Sequence, residues 1–212
     1  MTKILLTDDH AIIRQGLKIL IEKIVPHTEI DEAWDGDSAF QKIKKNDYDL
    51  IILDVTMPDT DSFGLVGNII SFKPGSKILM FSMNAEEIYA KKYLQLGAKG
   101  YVPKDSPEDE IKKAISMVLD NKKYMSTALK EILMEDALGG GKSSNPFEAL
   151  SDREFEIAAH LVRGESVSEI SHKLNLHTST VGTHKARIFE KLGCSNLVDL
   201  NTLAKVHRFL PE

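Results

Sequence analysis

Cysteine is nearly missing from this chain, with Cys194 the single one among 212 residues. That excludes an internal disulfide and a cysteine metal cluster, and leaves Cys194 the role of a small apolar side chain. Long apolar runs are missing too: none approaches the ~20 residues of a membrane helix, so no membrane partner is expected. The chain enters a strand pattern at Lys3 without the basic, apolar and cleavage regions of a secretory signal, so a soluble, cytoplasmic protein is expected. Positive charge is not in excess. The formal net charge of −5 argues against binding polyanions over the whole surface. What is present is an ordinary globular composition, 42% hydrophobic, in a length that accommodates two domains of about 100 residues.

Five short apolar runs, at 3 to 7, 29 to 34, 50 to 54, 77 to 82 and 100 to 102, alternate with helical patterns near 11 to 24, 37 to 46, 62 to 72, 86 to 96 and 107 to 121. This alternation predicts an α/β domain over 1–121, a parallel sheet covered on both faces. Gly36, Pro58, Gly75, Gly97, Gly100 and Pro107 fall near element boundaries. Ser106-Pro107-Glu108-Asp109 predicts a helix start with a serine cap and proline at the first helical position. A short helix is expected from Ser126 to Leu138, followed by a flexible tether, Gly139 to Pro146. Residues 122–147 are therefore read as a linker, one that permits a closed arrangement of what it joins. Gly141-Lys142-Ser143 is not a phosphate loop, because the motif's first glycine would fall on Asp136 and a helix precedes it instead of a strand. Four helices fit 148–212, near 152 to 163, 167 to 174, 178 to 192 and 196 to 206. Asn175-Leu176-His177 forms the turn of a helix-turn-helix, and Thr178 is available as the cap of the third helix.

Charged residues stand where the apolar runs end. Asp8-Asp9 follow Ile4-Leu5-Leu6, Asp54 follows Leu50 to Leu53, and Lys104 follows Tyr101-Val102. In a doubly wound sheet of order 2-1-3-4-5, strands 1 and 3 are adjacent, and these charges converge at the carboxyl edge where ligands bind. Three carboxylates together repel one another unless a cation is present; Mg²⁺ relieves that repulsion through oxygen ligands. Asp54 can then act as a nucleophile toward phosphorus, with Lys104 and the Ser82 hydroxyl supplying donors for phosphoryl oxygens. Taken singly, Asp8-Asp9 read as a helix cap, Ser82 as a turn residue and Lys104 as a solvated charge; their joint placement carries the argument. His10 reads as a surface or capping residue, and Met57, Met80 and Met83 as packing.

Residues 1 to about 121 resemble a response-regulator receiver domain, of flavodoxin-like fold. The resemblance is carried by Asp8-Asp9, Asp54 in Leu53-Asp54-Val55-Thr56-Met57-Pro58, Ser82, and Lys104 in Val102-Pro103-Lys104. Asp8-Asp9-His10 with Arg14 and Gly16-Leu17 is similar to the NarL/FixJ branch. The resemblance implies Asp54 as phosphoacceptor, a metal held by Asp8, Asp9, Asp54 and the carbonyl of Thr56, and Tyr101 as an aromatic switch. Ser62 departs from the glycine usual after Asp61; if the turn needs positive φ, serine costs about 1 kcal/mol. Met83 is bulkier than the small residue of many receivers and is expected to restrict water access.

Residues 148–212 carry 8 Lys and Arg against 9 Asp and Glu, so any nucleic-acid site there is local. Lys173, Lys185, Arg187 and Lys191, with only Glu190 opposing, mark it. These residues resemble a LuxR-type helix-turn-helix, through Leu150-Ser151-Asp152-Arg153-Glu154, Thr180 to His184 and Lys191-Leu192-Gly193. A wheel of the third helix puts Val181, Ile188 and Leu192 in the core, Phe189 at its flank, and Ser179, Thr183, Ala186 and Arg187 on the open side. Arg187 is placed to read guanine and Thr183 to touch a base or phosphate, with Thr180, Lys173, His184 and Lys185 as further DNA contacts. Gly182 and Ala186 stand where the family commonly has basic residues. Leu197, Leu200, Leu203 and Val206 give the last helix an apolar face that serves core and dimer. The resemblance implies a DNA-binding transcriptional regulator, not an enzyme, that takes a phosphoryl group from a sensor histidine kinase and pairs as a homodimer on double-stranded DNA. Two alternatives are a phosphorylation-independent DNA-binding protein with a vestigial acidic site, and an aspartyl-phosphate phosphotransferase.

Overall fold

The computed structural model describes residues 1–137 and 145–209; of the expected tether, Gly139 to Pro146, residues 139–144 lie outside the described residues, as does Leu138. Five strands, β1 (Thr2–Thr7), β2 (Thr28–Ala33), β3 (Leu50–Leu53), β4 (Ile78–Ser82) and β5 (Gly100–Pro103), form one sheet in the order β2-β1-β3-β4-β5. All its pairings are parallel. Between and after them come α1 (Ala11–Ile24), α2 (Gly36–Lys45), α3 (Ser62–Phe72), α4 (Glu86–Leu96) and α5 (Glu108–Leu119).

Side chains alternate across each strand, so each half of the apolar run finds its own layer. Ile4 and Leu6 pack with Leu17, Leu20 and Ile21 of α1 and Ile111, Ile115 and Val118 of α5. Leu5, on the other face, belongs to the buried layer that also holds Ala39 and Ile43 of α2, Val66 and Ile69 of α3 and Tyr93 of α4. Burial of each such aliphatic side chain stabilises the fold by about 1.5–3 kcal/mol, which is why β3 reads as an unbroken Leu-Ile-Ile-Leu.

Local chemistry sets the helix ends. Asp35 and Ser38 form a capping box on α2, and Asp61 caps α3 by accepting from the Gly64 amide at 2.6 Å. Two expectations are corrected. Pro107 itself is the N-cap of α5, making no side-chain cap bond, and Ser106 lies outside the helix. Ser62 has no positive φ; the left-handed residue of that loop is Asp59, at φ 48°. Serine therefore causes no backbone strain at 62. Instead its buried hydroxyl shares a 2.8 Å hydrogen bond with the Tyr93 phenol.

The remaining described elements are α6 (Thr127–Ala137), a 3-10 turn (Pro146–Ala149), α7 (Asp152–Val162), α8 (Val167–Lys173), α9 (Thr178–Leu192) and α10 (Leu197–Val206). Capping boxes at Ser151/Glu154 and Ser166/Glu169 start α7 and α8. Thr178 is the first residue of α9 rather than its cap, a place taken by His177 without a side-chain bond. In α10, Leu200 and Ala204 are buried and Leu203 is partly so, whereas Leu197 is open and Val206 is 71% exposed, so the apolar face of the helix divides between core and surface. Cys194 is partly buried beside this core, as expected of a small apolar residue.

The C-terminal helices sit against the α/β unit through α7. Phe155 meets Phe63 of α3 edge-on at 5.7 Å and Tyr89 of α4 at 4.9 Å, while Phe209 stacks on Phe147 at 3.9 Å. The two edge-to-face pairs lie within the ~4.5–7 Å separation that aromatic rings favour.

Candidate functional site

The strand register dictates the site. Thr7 pairs with Leu53, so the next residues, Asp8 and Asp54, emerge side by side at the carboxyl edge; Ser82 pairs with Pro103, which brings Lys104 there as well. The Asp54 amide donates to the Thr7 carbonyl at 2.9 Å and the Lys104 amide to the Ser82 carbonyl at 2.9 Å, extending the sheet by one bond on each side. The Lys104 ammonium lies 2.6 Å from Asp8 Oδ2 and 2.8 Å from Asp54 Oδ2. All three side chains are almost fully buried.

Burial pushes the Asp54 carboxyl up to about 6, opposed by the Lys104 charge and assisted by Asp8. Burial works to lower the Lys104 pKa, but the Asp54 and Asp8 carboxylates outweigh it and raise the value. A buried cation thus holds two buried anions together. Arg14 fixes the loop that carries the acids, donating to the Asp8 carbonyl at 2.6 Å and to Glu32 at 2.7 Å.

Asp8, Asp9, His10 and Asp54 can each bring one ligand atom within 4.8 Å of the others, a spacing suited to a single metal ion. Asp9 Oδ1 is buried and makes no hydrogen bond, which fits an oxygen kept for a cation. Thr56 lies at the same place, its amide donating to Asp54 Oδ1 at 3.1 Å.

Asn84, which the sequence reading did not single out, connects the neighbouring groups. Its amide donates to Ser82 Oγ at 3.1 Å, its side-chain nitrogen approaches Thr56 Oγ1 at 3.4 Å, and its carbonyl accepts from the Tyr101 phenol at 2.8 Å. Tyr101 is fully buried, 6.3 Å from the ring of Tyr93. Met80 packs in the core as expected, whereas Met83 is 56% exposed and turned away from it, a correction to its expected packing role.

In the second half of the chain, Val181 and Ile188 are buried, Leu192 and Phe189 partly so, and Ser179, Gly182, Thr183, Ala186 and Arg187 are exposed, matching the expected wheel of α9. The turn between α8 and α9 is closed by Asn175 in the left-handed region, φ 49°, and by the Leu176 amide donating to the Ser171 carbonyl at 2.9 Å. Thr180 and His184 are half-buried, and the Lys185 ammonium lies over the Phe189 ring at 5.5 Å. Lys173 is paired with Glu165 at 3.2 Å and Lys191 with Glu154 at 2.6 Å, so both marked lysines have partners inside the protein.

Polar contacts join the two halves. Arg153 donates to Asp61 Oδ2 at 2.7 Å and to Glu156 Oε2 at 2.5 Å, and Lys92 donates to the Leu150 carbonyl at 2.8 Å. Burial and the adjacent Asp61 push the Glu156 carboxyl up to about 9. Asp61 is itself held low: burial acts to raise it, but hydrogen bonds from Glu156 and Gly64 and the Arg153 charge prevail. No sequence spacing marks these contacts, since their partners are 92 and 58 residues apart.

A doubly wound sheet with an acidic, lysine-bridged edge, joined to a helix-turn-helix whose outer face is open, defines a two-part signalling protein. The family model for the response regulator receiver domain matches residues 4–116, and that for bacterial regulatory proteins of the luxR family matches residues 148–204. The chain belongs to the response regulators of the NarL/FixJ branch: it is a DNA-binding transcriptional regulator of a two-component system rather than an enzyme. It is 30% identical over 207 residues to the response regulator UvrY of Escherichia coli K12, covering 98% of this chain and 95% of that one. It is 33% identical over 205 residues to the oxygen regulatory protein NreC of Staphylococcus carnosus, covering 93% and 94%. Among solved structures, RcsB of Salmonella enterica serovar Typhimurium, bound to promoter rprA with phosphomimetic BeF3-, shares the fold at a TM-score of 0.77 and 24% identity over 96% of this chain and 98% of that one. Among the described residues no helix is long and apolar enough to cross a membrane.

Proposed function

We propose that residues 1–121 form the receiver, 122–147 the linker and 148–212 the DNA-binding domain of a cytoplasmic protein, and that a sensor histidine kinase controls it by transferring a phosphoryl group to Asp54. The observation that carries this reading is the Lys104 ammonium bridging Asp8 and Asp54 at the carboxyl edge. In the transfer, the phosphorus–nitrogen bond of the kinase phosphohistidine breaks as a phosphorus–oxygen bond forms to Asp54. Asp8, Asp9, Asp54 and the Thr56 carbonyl would hold Mg²⁺, which neutralises the carboxylates and the incoming phosphoryl oxygens. Lys104, already within 2.8 Å of Asp54 Oδ2, donates to a phosphoryl oxygen.

The Ser82 hydroxyl turns toward the new group and gives up the Asn84 amide it now accepts from. Asn84 also holds Tyr101, so the Tyr101 ring is released to shift against Tyr93. Tyr93 stacks on Phe63 at 4.4 Å, and Phe63 touches Phe155 of α7. The phosphoryl signal thereby reaches the surface that holds the C-terminal helices, and the released domain binds double-stranded DNA as a homodimer. On DNA, Ser179, Thr183 and Arg187 occupy the open face of α9, with Thr180, His184 and Lys185 at its edges; Lys173 must leave Glu165 to contribute.

The test is binding to the protein's own promoter, followed by fluorescence anisotropy, for wild type and Asp54→Asn with and without a small-molecule phosphodonor. Tighter binding of phosphorylated wild type alone supports the reading. Equal binding by both proteins in both conditions would favour phosphorylation-independent recognition instead.

A further inference from the structure

His10 stands apart from the packing it adjoins. Its side chain is 62% exposed, and although it occupies the N-cap position of α1 it makes no side-chain cap bond. Its backbone is nevertheless fixed, because its amide donates to Asp8 Oδ1 at 2.8 Å. From there the imidazole turns toward the acids: Nδ1 lies 3.2 Å from Asp8 Oδ1 and 2.8 Å from Asp9 Oδ1. The second contact lacks hydrogen-bond geometry, since Asp9 Oδ1 has no hydrogen-bond partner.

These separations resemble those of neighbouring ligands on one ion. Two donors at adjacent octahedral positions, each about 2.1 Å from a metal, sit about 3 Å apart. Lys104 contacts the Oδ2 atoms of Asp8 and Asp54, which leaves Oδ1 of Asp8 and Oδ1 of Asp9 facing the imidazole. An imidazole nitrogen has little affinity for Mg²⁺, which prefers oxygen, and more for Mn²⁺ and the later first-row ions.

We propose that His10 supplies a nitrogen ligand at the acidic site, making this protein bind Mn²⁺ and similar borderline divalent ions more tightly than an all-oxygen site would. The inference rests on the reading of Asp8, Asp9 and Asp54 as a metal site. It assigns His10 a part in choosing the ion.

The experiment uses the full-length chain with Mn²⁺ as probe, comparing wild type, His10→Ala and His10→Gln. Pulsed electron paramagnetic resonance of the bound Mn²⁺ should show nitrogen-14 modulation in wild type and none in either variant. Calorimetric affinity for Mn²⁺ should fall on the order of tenfold in both variants, while affinity for Mg²⁺ changes by less than about twofold. Mn²⁺ bound without nitrogen modulation, or with equal affinity in all three proteins, would overturn the role of His10 while leaving an oxygen-only metal site intact. No binding of either ion to wild type would overturn the metal site and the inference together.

Discussion

The Arg153 guanidinium of α7 donates to Asp61 Oδ2, the cap of α3, at 2.7 Å, and through the same nitrogen to Glu156 at 2.5 Å. One cation therefore faces two carboxyl groups, and the proton on Glu156 keeps their charges from colliding. Glu156 is raised from its ordinary 4.5 to about 9. Its support for the docked arrangement is thus complete below about pH 4.5 and is lost as pH rises through about 9. Asp61 shifts downward, so its own contribution is lost only at acid pH. Small-angle scattering between pH 7 and 10 should show wild type becoming more extended toward pH 9 to 10. Glu156→Gln, which cannot ionise, should stay compact throughout; parallel behaviour of the two proteins would remove Glu156 as the cause.

Lys92 holds the same interface from the receiver side. Its ammonium donates to the Leu150 carbonyl and pairs with Asp152 at 3.2 Å, above the Phe155 ring at 5.0 Å. Lys92→Met keeps the apolar stem and removes the charge, and should weaken docking by about 1.5–3 kcal/mol, the range for hydrogen bonds made by charged groups. The measurement is domain separation by scattering at pH 7, with each half checked for retained helicity.

Ser62 is expected to stabilise this chain despite standing where glycine is usual. Ser62→Ala strands the fully buried Tyr93 hydroxyl, at a cost of about 1–3 kcal/mol in urea denaturation. An unchanged midpoint would mean that the Ser62–Tyr93 bond contributes nothing net.

On the DNA side, exposure and pairing separate residues that composition groups together. Arg187 is exposed on the open face of α9, whereas the Lys173 charge is already met by Glu165. Arg187→Ala should weaken promoter binding by about 1–3 kcal/mol and relax its sequence preference. Lys173→Ala should change binding by less than about 1 kcal/mol. Equilibrium titrations against promoter and scrambled duplexes distinguish the two effects.

The sheet was legible because its signals are local. Unbroken apolar runs mark strands buried on both faces, β3 and β4 above all, and residues such as Asp54 and Lys104, each one step past the end of its strand, must reach the carboxyl edge once the order β2-β1-β3-β4-β5 holds. The buried stripe of α9 was equally readable from helical spacing. The junctions and the interface were not. Ser106 and Thr178 have capping chemistry, but neither is the N-cap; Pro107 and His177 take those positions. The roles of Asn84 and Arg153 depend on groups brought together only by the fold, and neither residue type carries a periodic signal. Met83 looked like its buried neighbour Met80, yet it lies beyond the end of β4, where alternation no longer decides which way a side chain faces.

The central claim is that Asp54 accepts a phosphoryl group with metal assistance. Intact mass spectrometry after incubation with acetyl phosphate, with and without Mg²⁺, tests it on wild type and Asp54→Asn. The expected result is a single phosphoryl adduct on wild type that requires Mg²⁺ and is absent from the variant. An adduct of equal yield on Asp54→Asn, or one on wild type indifferent to Mg²⁺, would contradict the account.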